Sequence, residues 1–270
     1  MMEKAVLPFL KWPGGKRWLA PQLTKLIRPH LSGTYFEPFL GGGAVFFSLK
    51  PERAILSDIN EDLVNVYTQV QANHEAVIKR LRGMSVSAHN YKKIRDLQTS
   101  NMIQRATNFL YLNRTAWGGI YRLNSSGRFN VPFGGGERTP EPLWKNHLLL
   151  RAAKVLEMSS IVVSDFEPLL DRAGKGDVVY CDPTYTVAHN CNGFVRYNEK
   201  NFSWADQKRL ANACKKAAKR GSRVIVTNAC HTSIRQLYPD AKVRILNRKS
   251  LVSASPFKRG DVDEYLFVLD

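Results

Sequence analysis

Apolar residues occur along the chain at two alternating spacings, which predict strands and helices in turn. Residues 18–27 and 44–49 carry apolar side chains at helical spacing. Short β-rich runs at residues 34–39 and 53–58 lie on either side of the second helix. The first 60 residues therefore predict a strand, a glycine turn, a helix and a second strand that ends in Asp58.

The pattern changes between residues 61 and 154. Helical spacing dominates as far as Leu112, and residues 113–141 are rich in Gly, Asn, Ser, Arg and aromatic side chains. Residues 100–154 hold eight Lys or Arg against two Glu. We predict a separate, mostly helical module over 61–154 with an exposed basic loop or hairpin.

From residue 155 onward the alternation of strands and helices returns. Strands are predicted at 160–165 and 177–182, and a helix over 203–220 with a Ser203 and Asp206 capping box and Gly221 as its stop. Another strand at 223–227 and a final antiparallel pair at 242–246 and 263–269 follow. Strands that alternate with helices favour a mostly parallel sheet. The prediction is an α/β domain formed by 1–60 plus 155–270, with 61–154 inserted.

Charge adds a candidate partner to this picture. The chain of 270 residues has 40 Lys and Arg against 23 Asp and Glu, a formal net charge of +17. Such an excess is typical of proteins that bind a polyanion. No apolar run reaches the ~18 residues of a membrane span, and the first residues lack a signal-peptide pattern. We expect a cytoplasmic protein, and because no cysteine pair or other cluster has metal-ligand spacing, no metal.

Two glycine loops, at residues 11–16 and 41–43, and three acids at predicted strand ends indicate a ligand cleft. Gly41 and Gly43 lie between a strand and a helix, but Phe46 stands where a dinucleotide fingerprint needs a third glycine. A nucleoside without phosphate, such as S-adenosylmethionine, suits this turn, and Asp58 could accept hydrogen bonds from ribose hydroxyls. Asp165 and Asp182 end two further strands, although any one such acid could simply cap a helix.

The tetrapeptide from Asp182 to Tyr185 carries a specific chemistry. An exocyclic amine of a base is a poor nucleophile because its lone pair is delocalised into the ring. The Asp182 carboxylate and the Pro183 carbonyl could accept both N–H bonds and free that lone pair to attack an electrophilic methyl group. Tyr185 offers a face for an extruded base. The other possibility is an ordinary Asp-Pro turn.

Six segments in order resemble DNA adenine-N6 methyltransferases of the Dam type. The segments are residues 9–16 (FLKWPGGK), 37–43 (EPFLGGG), 57–60 (SDIN), 109–114 (FLYLNR), 127–134 (GRFNVPFG) and 179–185 (VYCDPTY). The resemblance covers nearly the whole chain. It implies a Rossmann-like methyltransferase sheet with helices on both faces, and it makes the inserted module the DNA-recognition domain of a bacterial or phage enzyme. It implies methyl transfer from S-adenosylmethionine to the N6 amine of a flipped adenine in double-stranded DNA, without an obligatory protein partner.

The resemblance also assigns residues to each role. The adenine is held by Asp182, Pro183 and Tyr185. The cofactor pocket is formed by Trp12, Lys16, Phe39, Gly41, Asp58, Ile59, Asp165, Phe166 and Asp182. DNA is contacted by Lys11 and by the loop 113–136, of which the named candidates are Asn113, Arg114, Trp117, Arg122, Asn124 and Arg128.

Two departures and two alternatives remain open. Thr184 stands where the family usually has a second proline. Residues 117–122 (WGGIYR) differ from the pattern of GATC readers, so the resemblance does not fix GATC as the target sequence. No proline precedes a cysteine, which excludes C5-cytosine methylation. The two alternative functions are an N4-cytosine methyltransferase and a non-catalytic DNA-binding protein on the same scaffold, and RNA is an alternative substrate. A methyl-transfer assay separates the non-catalytic protein from an enzyme.

Overall fold

The computed structural model describes residues 6–124, 126–135, 144–186, 202–249 and 261–270. The chain divides into two compact units. Unit 1 is formed by residues 1–29 and 40–163, and unit 2 by residues 30–39 and 164–270. These boundaries differ from the predicted domains, 1–60 plus 155–270 and 61–154, which stay a prediction.

Over the part of unit 1 that the structure describes, six α-helices combine with one pair of parallel strands. The strands are β2 (Ala54–Asp58) and β3 (Ser159–Val163), which pair with Asp58 opposite Val163. The helices are α1 (Ala20–Ile27), α2 (Ala44–Leu49), α3 (Glu61–Arg82), α4 (Ala88–Asp96), α5 (Met102–Thr115) and α6 (Asn146–Leu156). The long α3 packs against α5, α6 and both strands, and therefore forms the centre of the unit.

Caps explain where several of these helices begin. Asn60, Ser87 and Asn101 each accept a hydrogen bond from a backbone N–H of the following turn, at the starts of α3, α4 and α5. Pro21 lies in the first turn of α1, where its missing N–H costs nothing. This is why α1 begins at residue 20, two residues after the predicted start.

In its described residues, unit 2 contains five strands and three α-helices. The strands are β1 (Tyr35–Glu37), β4 (Val178–Cys181), β5 (Arg223–Ala229), β6 (Lys242–Lys249) and β7 (Asp261–Leu269). Their order is β1-β4-β5-β7-β6, with the first three parallel and the last two antiparallel. The helices are α7 (Phe166–Arg172), α8 (Trp204–Lys219) and α9 (Thr232–Leu237).

Helix α8 has the ends that the sequence predicts. Ser203 and Asp206 form the reciprocal capping box, and Gly221 adopts a φ of +90° just after the helix. Its buried face carries Gln207, Leu210 and Cys214. Parallel strands that alternate with helices in both units confirm the predicted α/β class. Within the parts of the chain described here, no helix combines the length and apolar character of a membrane span.

Candidate active site

In unit 1 the glycine turn is tied to the end of β2 by Asp58. The Oδ2 of Asp58 accepts from the Gly41 N–H at 3.0 Å, and its Oδ1 accepts from the Asn60 N–H at 3.0 Å. Burial raises the pKa of Asp58, and the backbone hydrogen bonds from Asn60 and Gly41 only partly offset that rise. The next residue, Ile59, is 64% exposed, so an apolar side chain and a carboxylate stand side by side.

Trp12 lies against this turn. A Cβ on Gly41, which has a φ of +47°, would come within 2.8 Å of the Trp12 ring, so a larger residue would displace the indole. The ring also stacks on Tyr121, with centroids 5.2 Å apart, and on Phe109 at 6.4 Å. Trp12 therefore belongs to an aromatic stack of unit 1 and is only partly exposed.

Lys16 is, with Trp12, a predicted cofactor residue of the glycine loop formed by residues 11–16. Its side chain is buried, and its Nζ donates to the Gly14 carbonyl at 3.2 Å. That contact keeps the ammonium group at the loop, next to the glycine at position 14, which has a φ of +75°.

In unit 2 the Asp182 side chain is anchored by its neighbour strand. Asp182 directly follows β4, and Thr227 on β5 donates to its Oδ1 at 2.7 Å. The Thr227 hydroxyl is also 3.0 Å from that of Tyr180, which is buried. Since Thr227 donates to the carboxylate, Tyr180 donates to Thr227. This chain of hydroxyls orients Asp182 at the carboxyl end of a parallel strand, where ligands bind in open α/β sheets.

Tyr185 is held by a second acid. Its hydroxyl donates to Oε2 of Glu264, which lies on β7 and is fully buried, at 2.9 Å. Burial, followed by the nearby charges of Asp182 and Glu264, raises the pKa of Tyr185 well above its usual value. The phenol therefore stays protonated and remains a donor to Glu264 throughout the working pH range.

Unit 2 also contains three further predicted cofactor residues, Phe39, Asp165 and Phe166. Asp165 lies two residues after β3 and caps α7 by accepting from the Glu167 N–H at 3.0 Å, so the alternative of a helix cap holds for this acid. Phe39 and Phe166 stack with centroids 5.6 Å apart. The guanidinium of Arg209 lies 4.6 Å from the Phe166 ring centre.

Arg209 joins three carboxylates around this aromatic pair. Its Nη2 is 2.7 Å from Asp165, its Nε 3.0 Å from Glu167 and its Nη1 2.8 Å from Asp206. Burial alone would lower the pKa of Arg209, but the hydrogen bonds to Asp165 and Glu167 outweigh it and raise that pKa. A fixed cation therefore keeps Asp165 and the Phe166 ring in place.

The predicted basic hairpin is present in unit 1. Backbone hydrogen bonds pair Gly134 with Thr115 at 2.8 Å, Trp117 with Pro132 at 2.9 Å and Asn130 with Arg122 at 3.1 Å. At its tip, Asn124 accepts from the Arg128 N–H with its side chain and donates to the Arg128 carbonyl with its backbone. Asn124 thus shapes the turn. Residues 125 and 136 of the predicted DNA loop lie outside the described residues.

The hairpin presents two exposed arginines and an exposed indole. Trp117 is 60% exposed, and the side chains of Arg122 and Arg128 also reach solvent. Arg122 donates from its Nε to the Asn130 side chain at 2.9 Å, which orients the guanidinium on the hairpin surface. These positions suit contacts with a polyanion.

Two predicted DNA residues, Asn113 and Arg114, are instead buried in unit 1. The Asn113 side chain accepts from the Lys11 N–H at 3.0 Å and donates to the Lys11 carbonyl at 2.7 Å. Arg114 donates to the Phe9 carbonyl, and burial, with a contribution from Arg17, lowers its pKa to about 10. Both side chains hold the segment that carries Lys11, which is itself exposed.

Comparison with known proteins identifies the family. Residues 12–254 match the D12 class of N6 adenine-specific DNA methyltransferases. The chain belongs to this family. It is 33% identical over 269 residues to the type II methyltransferase M1.LlaDCHI of Lactococcus lactis subsp. cremoris, covering 96% of this chain and 94% of that protein. It is also 31% identical over 266 residues to the DNA adenine methylase of Escherichia coli K12, covering 96% and 93% respectively.

This D12-class chain is an adenine-specific DNA methyltransferase with a Rossmann-like α/β fold, as the resemblance implied. The family description names adenine N6 and so goes against the N4-cytosine alternative.

Four polar residues of unit 2 were missed by reasoning from sequence: the buried Thr227, Glu264 and Gln207, and the partly exposed Arg209. Thr227, Glu264, Gln207 and Arg209 lie inside apolar strand or helix patterns and look like ordinary core or surface positions. A signal existed for Gln207, which is a polar residue on the buried face of α8. Thr227 and Glu264 meet Asp182 and Tyr185 across 45 and 79 residues of sequence, so only the fold pairs them.

Proposed function

We propose that this methyltransferase takes its methyl group from S-adenosylmethionine and transfers it to the N6 amine of an adenine flipped out of double-stranded DNA. Asp182, Pro183 and Tyr185 are the groups that hold the adenine. The observation that carries this assignment is the anchoring of Asp182 by Thr227 at 2.7 Å, directly after β4. A carboxylate that is already oriented needs little reorganisation when positive charge develops on the attacking nitrogen.

The chemistry assigned to the tetrapeptide uses two acceptors. The Asp182 carboxylate and the Pro183 carbonyl accept the two N–H bonds of the amine and draw its lone pair out of the ring. Tyr185 packs against the base, and its bond to Glu264 fixes the phenol ring. As the nitrogen gains the methyl group, the methyl–sulfur bond of the cofactor would break to leave a neutral thioether. The nitrogen would pass one of its two protons through the Asp182 carboxylate to solvent.

The residues of unit 1 fit a nucleoside such as that of S-adenosylmethionine. The Asp58 carboxylate accepts from the backbone N–H groups of Gly41, Ile59 and Asn60. Its two oxygens offer about four acceptor positions, so capacity remains for one further donor, such as a ribose hydroxyl. The exposed Ile59 beside it suits the face of a base. The cofactor supplies an electrophilic methyl group on a sulfonium, a transfer that requires no Lewis acid, so we assign no metal.

The remaining predicted cofactor residues keep their assignment as part of this proposal. In unit 1 the loop and turn are shaped by Trp12, Lys16 and Gly41. In unit 2 the aromatic and acidic group consists of Phe39, Asp165 and Phe166. Asp182 has both roles, because it is assigned to the cofactor pocket and to the adenine. We infer that Arg209 acts through Asp165 and Phe166, whose positions it holds.

DNA recognition is assigned to the module of residues 61–154 and to Lys11. Lys11, Trp117, Arg122 and Arg128 are exposed and become the proposed DNA contacts. Asn113, Arg114 and Asn124 receive a positioning role, because their side chains bind the Lys11 segment or the hairpin turn. With double-stranded DNA as the proposed substrate, the cytoplasm is the compartment we propose.

The test is transfer of a tritiated methyl group to duplex DNA by the wild-type chain and by Asp182→Ala. The wild-type chain should label adenine N6. The variant should lose about 100-fold or more in turnover, the scale of losing one preorganised polar group. An exposed acid of the same unit, Asp240, supplies the control Asp240→Ala. Near-normal turnover in Asp182→Ala would refute the catalytic assignment, and a folded wild-type chain without transfer would favour the non-catalytic scaffold.

A further inference from the structure

A buried amide lies behind the proposed catalytic tetrapeptide. Gln207 on α8 is fully buried, and its Nε2 donates to the Thr184 carbonyl at 3.2 Å and to the Thr186 hydroxyl at 3.1 Å. Its Oε1 accepts from Nδ2 of Asn228, on β5, at 2.9 Å. One side chain therefore joins α8 and β5 to the backbone that follows Asp182.

Backbone groups at the two ends of this network determine which atom is the donor in each hydrogen bond. The Asn228 Oδ1 accepts from the Ala229 N–H at 2.8 Å, so Asn228 must donate to Gln207 with its amino group. The Thr186 hydroxyl donates to the Phe202 carbonyl at 2.8 Å and is left to accept from Gln207. Because a backbone carbonyl can only accept and a backbone N–H can only donate, the Gln207 amide has one orientation.

The bond to Thr184 falls where the tetrapeptide departs from the family pattern. Thr184 occupies the position at which a second proline usually fixes φ. A threonine leaves that torsion freer, and the Thr184 side chain is exposed. In this chain the Thr184 carbonyl is held instead by an amide from α8.

An apolar side chain would fill the Gln207 position at lower cost. Gln207 shares its helix face with Leu210 and Cys214, both buried in the core. A buried amide must be fully hydrogen-bonded to be tolerated, and here both its ends are used. Such a group specifies one backbone conformation more strictly than packing alone.

We propose that Gln207 is a positioning residue which holds the tetrapeptide backbone at Thr184 and so keeps Asp182, Pro183 and Tyr185 in register with the adenine. The inference rests on the proposed function of these three residues. Gln207 touches neither substrate nor cofactor in this role. It replaces, through a hydrogen bond, part of the restraint that a second proline would supply.

The first test compares two variants of similar size, Gln207→Leu and Gln207→Glu. The leucine removes both donors, and the glutamate, when ionised, turns acceptors toward the Thr184 carbonyl. Both should lower kcat by about 10- to 100-fold, the scale of misplacing a reacting group by up to ~1 Å, while KM for S-adenosylmethionine changes less than about twofold. Gln236 on α9 is exposed, and Gln236→Leu is the matched control with unchanged kinetics. Circular dichroism gives the folded fraction, and a loss of kcat that merely follows it overturns the proposal.

The second test restores the missing restraint. Thr184→Pro alone should keep kcat within about threefold, and added to Gln207→Leu it should recover most of the lost turnover, because the ring limits the same backbone segment. Failure of the proline to restore any turnover in the folded double variant overturns the role of Gln207.

Asp182→Ala, assayed in parallel, separates this inference from the proposed function. If Asp182→Ala abolishes transfer but Gln207→Leu leaves kcat unchanged, the role of Gln207 is wrong and the catalytic assignment stands. If Asp182→Ala retains transfer, the proposed function fails and the role of Gln207 fails with it.

Discussion

At the scale of single residues, the hydroxyl of Thr227 should matter more than its size. Thr227→Val keeps the shape but removes the bond to Asp182 and leaves the buried Tyr180 hydroxyl without its partner. A hydrogen bond to a charged group contributes roughly 1.5–3 kcal/mol, so we expect kcat to fall by about 10- to 100-fold. Thr227→Ser should remain close to wild type. Steady-state kinetics measure both, with Thr232→Val on the exposed start of α9 as control. Equal losses in the valine and serine variants would show that packing, and not the hydroxyl, is responsible.

Asp58 should affect cofactor affinity more than chemistry. Asp58→Asn has one acceptor oxygen in place of two, so it cannot accept from the backbone N–H groups of this turn and also from a ribose hydroxyl, as the proposal requires of the carboxylate. We expect affinity for S-adenosylmethionine to fall about 10-fold, the worth of one such bond, with kcat at saturating cofactor almost unchanged. Calorimetry measures the affinity, and Asp96→Asn, at an exposed acid of the same unit, is the control.

The same residue predicts a pH dependence. Burial raises the pKa of Asp58, so its carboxylate is protonated at a higher pH than an exposed aspartate. The part of the affinity for S-adenosylmethionine that depends on the ionised carboxylate is therefore at its maximum above that pKa. It is lost as the pH falls through that pKa. Asp58→Asn cannot titrate and should lack this step. A parallel decline of affinity in wild type and variant on acidification would mean that another group titrates.

At the scale of elements, the sequence predicts what local rules determine. The capping box of α8 and the glycine stop after it depend on neighbouring residues, and both are confirmed. The partners of Asp182 and Tyr185 come from strands far along the chain, and no spacing rule pairs them. Asn113 and Arg114 illustrate the same limit, because the resemblance placed them in the DNA-contacting loop, whereas burial on α5 directs them to the Lys11 and Phe9 backbone.

The hairpin should contain two arginines that act differently. Arg122 follows the short turn of Trp117–Gly119 and is oriented by Asn130, so we expect it to read a base edge. Arg122→Ala should relax specificity at one base pair, at a cost of roughly 1–3 kcal/mol there. Arg128 lies at the tip beside Gly127, and Arg128→Ala should weaken binding to all sequences alike and reduce the salt slope by about one.

Methylation profiling on a randomised duplex library at two salt concentrations distinguishes these effects. Arg172→Ala, at an exposed position of unit 2, is the control and should change neither property. If neither hairpin variant alters site preference or salt dependence, the hairpin is not the recognition element. The Lys11 segment would then be the leading candidate.

At the scale of the whole molecule, the net charge of +17 should govern DNA affinity but not sequence preference. Each phosphate neutralised by a Lys or Arg releases counterions, so the logarithm of affinity falls with the logarithm of salt by about 0.9 per contact. Base-edge contacts release none. Plots of the logarithm of affinity against the logarithm of salt concentration should therefore be nearly parallel lines for the target and the scrambled duplex. The ratio of the two affinities should stay almost constant. Fluorescence anisotropy on the Asp182→Ala variant measures both lines without turnover. A scrambled duplex whose affinity did not respond to salt would show that the excess positive charge lies away from the DNA, and the assignment of the hairpin arginines would have to rest on base contacts alone.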